Sequence, residues 1–353
     1  MGFEVDFLPV GDSERSGDAI CLRYGQNYNY NVMIIDGGTK ESGKELVNHI
    51  KKYYKTTYVD YVINTHPDID HSSGLSVVLE ELDVGELIMH LPWEHSKDIR
   101  NAFRDGRITD SSLSDRLQEA YNSAYNLWEL AKEQKINIKK PFTGTEIGPF
   151  IVLSPTKNFY QNNLINSDKS PEKNILAKLL KESAKKAINY IYTTWDKEML
   201  REDVSTSQEN ENSVILYGKI DNKGILFTGD AGIRGLELAA DRAKLFGIDL
   251  KSCCLQQVPH HGSRRNVSSS ILNRIVGPRL KKGQTKNMSA YISASKNSSS
   301  HPKQSVINAY IRRGVSVFST EGNVLRYQSN MPPRVGYGPV PKLNFSKKVK
   351  GWN

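Results

Sequence analysis

The segment His66-Pro67-Asp68-Ile69-Asp70-His71 follows directly on the apolar run DYVIN and leaves a chain of this kind few ways to fold. His66, Asp68, Asp70 and His71 are all metal-ligand types, and a multivalent cation needs several nitrogen and oxygen donors converging on a volume of atomic size. Alternate residues of a strand point to one side, which groups His66 with Asp68 and Asp70. A turn at the strand end then brings His71 to the same point. A polar loop opening a helix would explain Asp70 as a cap but would leave both histidines without a reason. The cluster therefore requires a buried strand that stops abruptly at a site.

The rest of the chain supplies strands around it. FEVDFLP, DAICLRY and NVMIIDGG read as strands, followed by an amphipathic helix over Glu41–Tyr54 and the strand DYVINTH. ELIMH, at 86–90, is a further strand. From Asp98 to Lys135 the apolar residues Leu113, Leu117, Ala120, Ala124, Leu127 and Ala131 fall on one helical face. A strand at 150–155 precedes a second helical pattern through Leu176, Leu180, Ala184, Ala187 and Ile191. SVILYGKI and GILFTGD, joined by DNKG, form a hairpin. CCLQQVP, SAYISAS and GVSVFST are later strands, with a helix over Pro302–Arg312. Two strand-rich halves bracketing a helical middle predict two sheets packed together with helices outside, a four-layer αββα arrangement.

Composition narrows the setting. The N-terminal stretch lacks the basic and apolar pattern of a signal peptide, and no run approaches the length of a membrane span, so a cytoplasmic protein without membrane contact is expected. Cys21, Cys253 and Cys254 lie in strand-like runs and read as buried thiols rather than a disulfide framework. A net charge of +9 suits a polyanionic partner, and Arg264, Arg265, Arg274, Arg279, Lys281, Lys282 and Lys286 concentrate that charge after the sequence VPHHGS.

HPDIDH resembles the HxHxDH metal motif of metallo-β-lactamase-fold hydrolases, with aspartate in place of the second histidine. That variant is similar to the hydrolase domain of ComEC-type DNA-uptake proteins. VMIIDGG, ENSVILY, ILFTGDAG, VPHHGS, SASKNSSSHP and GVSVFSTEGNV resemble blocks of the same group in the same order. The resemblance covers most of 1–330 apart from the helical middle. It implies one hydrolase domain over 1–335, with a helical insertion at about 96–210 and a basic, mobile C-terminal tail at 336–353.

By that resemblance His66, Asp68, Asp70, His71, Asp230 and a late histidine, His260 or His261, hold two divalent ions, zinc or manganese. Asp230 bridges them and Asp36 braces the metal loop. Asp70 is also a catalytic residue, and His301 is a general acid or a hydrogen-bond donor to a phosphate. Ser263, Arg264, Arg265 and Asn297 are substrate contacts, with Ser300 a further one. The pattern's third histidine is missing, since no histidine lies between His95 and His260, and Asn210 or Asn212 stands in its place. The block PVGDSERSGDA is interrupted by extra residues, which leaves Asp12 and Asp18 without an assigned role. The resemblance implies a metal-dependent phosphodiesterase, a nuclease acting on DNA. A hydrolase of a small phosphodiester or ester, and a non-catalytic nucleic-acid-binding module, are the competing readings. The helical insertion would serve as a lid or as a surface for a protein partner or self-association.

Overall fold

The computed structural model describes residues 1–11, 17–27, 29–103, 105–171 and 190–352. The strands are β1 Gly2–Phe7, β2 Ala19–Gln26, β3 Asn29–Gly37, β4 Tyr58–Ile63, β5 Asp83–Ile88, β6 Asn137–Lys139, β7 Glu146–Ile147, β8 Phe150–Ser154, β9 Tyr190–Tyr192, β10 Ile215–Ile220, β11 Lys223–Phe227, β12 Cys253–Gln257, β13 Ser289–Ile292, β14 Ser316–Ser319, β15 Leu325–Ser329 and β16 Lys348–Lys350. One seven-stranded sheet runs β15-β1-β2-β3-β4-β5-β6, and a second runs β14-β13-β12-β11-β10-β8-β7. Helices cover the outer faces, so the four-layer αββα arrangement read from the sequence is the one observed.

Strand alternation decides which side chains meet. In β1, Phe3, Val5 and Phe7 face the second sheet, while Glu4 and Asp6 face the helical side. Phe7, Ile20, Ile35, Ile63 and Ile88 lie in register across five neighbouring strands. All five belong to the core between the sheets, where Phe150, Val152, Leu216, Ile225 and Phe227 meet them. Each such side chain contributes about 1.5–3 kcal/mol by leaving water. The row ends where β3 and β4 stop, which fixes the positions of the residues that follow.

Helices α1 Lys40–His49 and α2 Ile69–Glu81 cover the first sheet. They approach unusually closely: a Cβ on Gly74 would lie 1.9 Å from the Gly37 carbonyl oxygen, and one on Gly43 would lie 2.3 Å from that of Gly74. Only glycine permits this contact, which seats the start of α2 against the end of β3. Asp68 occupies the cap position of α2 but makes no capping hydrogen bond.

Helices and strands both occur in the described part of 96–210. Helices Asp110–Ala120 and Asn122–Glu133 add Leu113, Leu117, Ala124, Leu127 and Ala131 to the core under the first sheet. β6 then joins the first sheet, and β7 and β8 the second. The pattern over Leu176–Ala187 lies outside the described residues, as does Asp12; Ile191, read as part of that helix, is in β9 and pairs with Val349 of β16. The C-terminal tail is likewise docked. Arg264 donates to the Lys350 and Gly351 carbonyls at 2.9 and 2.7 Å, and the Trp352 indole donates to the Met199 carbonyl at 2.8 Å.

Candidate metal centre

Strand ends of both sheets converge at one rim of the sandwich. Asp36, at the end of β3, has a left-handed backbone (φ 55°) and a fully buried carboxylate. Its Oδ1 accepts from the Thr65 amide at 2.8 Å, and its Oδ2 from the Thr65 hydroxyl at 2.6 Å and from His71 Nδ1 at 2.8 Å. With that hydroxyl proton committed to Asp36, the Thr65 oxygen accepts from His66 Nδ1 at 3.0 Å. His261 Nδ1 donates to the Ser293 carbonyl at 3.0 Å. The Asp36 carboxylate, the Ser293 carbonyl and the committed Thr65 oxygen all accept, so all three rings hold a proton on Nδ1 and turn Nε2 toward the site.

Those nitrogens point at one place. His66 Nε2, His71 Nε2 and Asp230 Oδ1 are buried with no hydrogen-bond partner among the described residues. His71 Nε2 lies 3.6 Å from Asp230 Oδ2, His261 Nε2 lies 3.6 Å from Asp230 Oδ1, and His66 Nε2 lies 3.8 Å from Asp230 Oδ2. A tetrahedral ion with bonds of about 2.1 Å separates its donors by roughly 3.4 Å, so this spacing fits a zinc or manganese ion. His71, Asp230 and His261 form the compact set. Asp36 is as close to His66 and His71, but its oxygens are engaged by Thr65 and His71, which makes it a brace.

The electrostatics match a cation cavity. Burial opposes charge on Asp230, yet the imidazoles of His260, His261 and His71 hold its carboxyl well below the usual range. Burial also opposes charge on His71, and Asp230, Asp36 and Asp18 outweigh it, raising its pKa well above the ordinary value. Burial holds His261 down to about 3, which keeps its ring neutral as a ligand must be.

Asp18, unassigned from the sequence, sits within this group. It is buried, with Oδ2 3.8 Å from His71 Nδ1, and accepts from Gln257 Nε2 at 2.8 Å. Burial, with Asp230 and Asp36 nearby, pushes its pKa up to about 7. Gln257 Oε1 in turn accepts from the Thr228 and Gly229 amides, at 2.9 and 3.0 Å, and Asn266 donates to the Asp230 carbonyl at 2.8 Å. These residues place the TGD turn, and nothing in their sequence spacing announces them.

The late histidines differ. Both have left-handed backbones, with φ of 47° at His260 and 55° at His261, an arrangement that costs about 1–3 kcal/mol per residue and persists only where surroundings enforce it. Gly262 and the Lys303 amide, donating to the Gly262 carbonyl at 3.0 Å, provide that enforcement. His261 is buried and aimed inward; His260 is partly exposed, with Nδ1 2.5 Å from Asp230 Oδ2 and 2.7 Å from Asn210 Nδ2. Of the two amides expected near the missing histidine, Asn210 thus reaches the site. Asn212 does not, because it is held by Asn163 at 2.7 Å and donates to the Tyr160 carbonyl at 3.2 Å.

Asp68 Oδ2 lies 3.8 Å from His66 Nε2, and its Oδ1 pairs with Lys169 at 3.1 Å. Asp70, in the first turn of α2, lies outside the compact set and lines a cleft of about 480 Å³ with Asp68, Glu119, Tyr121, Ser123 and Lys169. The His301 ring is 5.7 Å from that of His260, its Nδ1 is 3.0 Å from Ser300 Oγ, and burial beside His260 and Lys303 holds its pKa down to about 4. Arg264, expected to face substrate, stacks on Trp352 at 4.1 Å and is occupied by the tail carbonyls. Ser263 is buried and accepts from the Arg265 amide at 3.3 Å, whereas the side chains of Arg265 and Asn297 are exposed.

Residues 29–140 match the family model of the metallo-beta-lactamase superfamily. That span holds Asp36, His66, Asp68, Asp70 and His71, and two large sheets flanked by helices are consistent with the same fold. No curated protein sequence matches the chain. Similar solved structures include Tm1679, a metal-dependent hydrolase of the beta-lactamase superfamily, at 11% identity and a TM-score of 0.43, covering 92% of this chain and 98% of that one. Zn²⁺-bound PqqB from Methylobacterium extorquens is similar at 9% identity and a TM-score of 0.38, covering 92% and 99%. MEM-A1, a subclass B3 metallo-beta-lactamase from a soil metagenome, is similar at 11% identity and a TM-score of 0.31, covering 76% and 86%. Among the described residues no helix is long and apolar enough to cross a membrane.

Proposed function

We propose that this chain is a metal-dependent hydrolase of the metallo-beta-lactamase superfamily that cleaves phosphodiesters, with DNA as its substrate. The observation that carries the substrate class is a group of like charges beside the centre. Lys303 follows His301 and Pro302, and burial, with Lys350 and Arg264 close by, holds its ammonium below the ordinary lysine range. Lys303 lines a cavity of about 260 Å³ with Lys348, Lys350, Ser299, Ser300 and Ser305. No acidic side chain pairs with these three lysines among the described residues. Such a cluster repels itself until an anion joins it, and a chain of phosphates running from the centre supplies that anion.

The surrounding residues divide the remaining work. His66, His71, His261, Asp230 and Asp68 would hold the metal, which when bound supplies an acidified water and positive charge at the attacked phosphorus. Asp70, which lines the adjoining cleft, would take the proton of the attacking water. His301, with its low pKa, is neutral at pH 7 and serves better as an N–H donor to a phosphate oxygen than as a general acid. The wall formed by Glu119, Tyr121 and Ser123 favours a second reading, a small phosphodiester, because a cleft of about 480 Å³ is small-molecule sized.

The test is incubation with plasmid, single-stranded DNA, RNA and bis-p-nitrophenyl phosphate, with Mn²⁺, Zn²⁺ or chelator. DNA cleavage that chelator abolishes, that His71→Ala loses and that Lys303→Ala makes less salt-dependent is the expected result. Hydrolysis of the small ester alone, with Lys303→Ala unchanged, would establish the second reading instead.

A further inference from the structure

The two halves of the centre are unequal, and Lys169 is the reason the geometry gives. His71, His261 and Asp230 face one point with two imidazoles and a carboxylate. The other half has His66, Asp68 and a share of Asp230. Where a further neutral donor would complete that half, Asp68 instead meets an ammonium: Lys169 Nζ is 3.1 Å from Asp68 Oδ1, while Asp68 Oδ2 is 3.8 Å from His66 Nε2.

Lys169 is delivered there by a built network. The chain leaves helix Lys157–Asn166 at Ser167, whose hydroxyl is bonded to buried Glu209 and accepts from the Lys169 amide at 2.9 Å. Tyr121 donates to the same Glu209 carboxylate at 3.0 Å, and its ring carries the Lys169 ammonium 4.9 Å from the centroid. The stem is thus guided while the charged end stays in the cleft, 38% exposed. A four-carbon stem with an exposed end can leave Asp68 without disturbing the fold.

We propose that Lys169 is a resident competitor for Asp68, so that the centre takes one divalent ion tightly at His71, His261 and Asp230. The His66–Asp68 half takes a second only when the ammonium moves away. An ammonium and a divalent cation cannot share one carboxylate without strong mutual repulsion, and the ammonium is tethered whereas the ion must come from solution. This rests on the reading of the site as a metal centre, and it assigns Lys169 a positioning role toward that metal.

Metal binding of the intact protein tests it directly. Mn²⁺ and Zn²⁺ would be titrated by calorimetry into wild type, Lys169→Met and Lys169→Arg, with bound metal counted after dialysis and manganese coupling read by electron paramagnetic resonance. Wild type should retain one equivalent and bind the second at least tenfold more weakly. Lys169→Met, which keeps the stem and removes the charge, should tighten the second step at least tenfold, leave the first unchanged and show a coupled manganese pair at lower metal concentration. Lys169→Arg should behave as wild type. Two equivalents of equal affinity in wild type, or a second step shifted less than threefold by Lys169→Met, would overturn the inference while leaving the metal centre intact. Absence of binding in every variant would overturn the metal reading and this inference with it.

Discussion

Asp36 Oδ2 accepts from His71 Nδ1 at 2.8 Å, and through this one hydrogen bond the end of β3 sets the tautomer and the aim of a ring on α2. The same carboxylate holds the Thr65 amide and hydroxyl, so it orients His66 as well, by way of the Thr65 oxygen. Asp36→Asn keeps the shape and removes the acceptor strength, and an amide nitrogen turned toward His71 would favour the wrong tautomer. Metal affinity should fall about 10–100-fold, the usual cost of losing a carboxylate behind a histidine ligand. Competition with a chromogenic chelator measures it, and an affinity within threefold of wild type would remove Asp36 from this role.

The late histidine pair separates by the same logic. His261 has Nδ1 tied to the Ser293 carbonyl and Nε2 turned to Asp230 Oδ1 at 3.6 Å, whereas His260 presents Nδ1 to Asp230 and Asn210 and is partly exposed. His261→Ala should therefore lose metal by more than the roughly 10–100-fold typical of a supporting partner. His260→Ala should lose less than His261→Ala. Metal retained after dialysis in each variant decides between them, and the reverse order would assign His260 as the ligand.

How much of this was legible depended on whether the signal was local. HPDIDH stands at a strand end, where a strand that stops in a ligand-rich turn can be read from alternation, whereas Asp230 in TGD was marked only by its place in the family resemblance. Asp18, Gln257 and Asn266 could not be found this way, because their partners are 239 residues apart for Gln257 with Asp18 and 36 apart for Asn266 with Asp230. Lys169 lies in a polar stretch without periodicity, and only the fold brings it to Asp68. Arg264 shows the converse: its position beside VPHHGS suggested substrate, but the tail carbonyls and Trp352 claim its guanidinium. β15 was unreadable because Arg326 interrupts its apolar pattern, and Arg326 is tolerated there only because Glu4, buried on β1, neutralises it.

Asp6, which shares Arg334 with Glu4, predicts an acid transition. Asp6 is fully buried, with Arg334 donating to its two oxygens at 2.9 Å each, Tyr54 donating at 2.9 Å and His49 Nε2 at 3.1 Å. Asp6, Cys21 and His49 also lie close enough to resemble a ligand set, but the Arg334 guanidinium already supplies the cation. Burial would raise the Asp6 pKa, and the bonds and charges of His49 and Arg334 outweigh it and hold it below the ordinary value. A carboxylate depressed on folding adds stability that is complete above its unfolded pKa of about 3.9 and is lost as pH falls through the lower folded value. The urea midpoint should accordingly drop below pH 4. Asp6→Asn should be less stable at pH 7 by about 3 kcal/mol, the cost of breaking a buried pair, and should flatten the acid limb. An unchanged acid limb in that variant would exclude Asp6 as its source.

Arg313 and Glu198 offer the sharpest test of the packing that holds the chain from Thr193 onward against the second sheet. Arg313 has no exposed side-chain surface, and its guanidinium grips Glu198 through two nitrogens at 2.7 and 3.1 Å. It also donates to Asn273 Oδ1 at 2.8 Å and to the Ala309 and Ser269 carbonyls at 2.9 and 3.1 Å. Glu198→Leu strands this buried cation and should destabilise the fold by about 3–5 kcal/mol. Arg313→Met strands Glu198 in turn and should cost a similar amount. The double variant Glu198→Leu with Arg313→Met removes both charges at once, so it should recover much of the loss, because the desolvation of the pair nearly balances its attraction. Urea unfolding of the four proteins gives the coupling directly. Additive losses would mean that the other acceptors around Arg313, rather than Glu198, hold it in place.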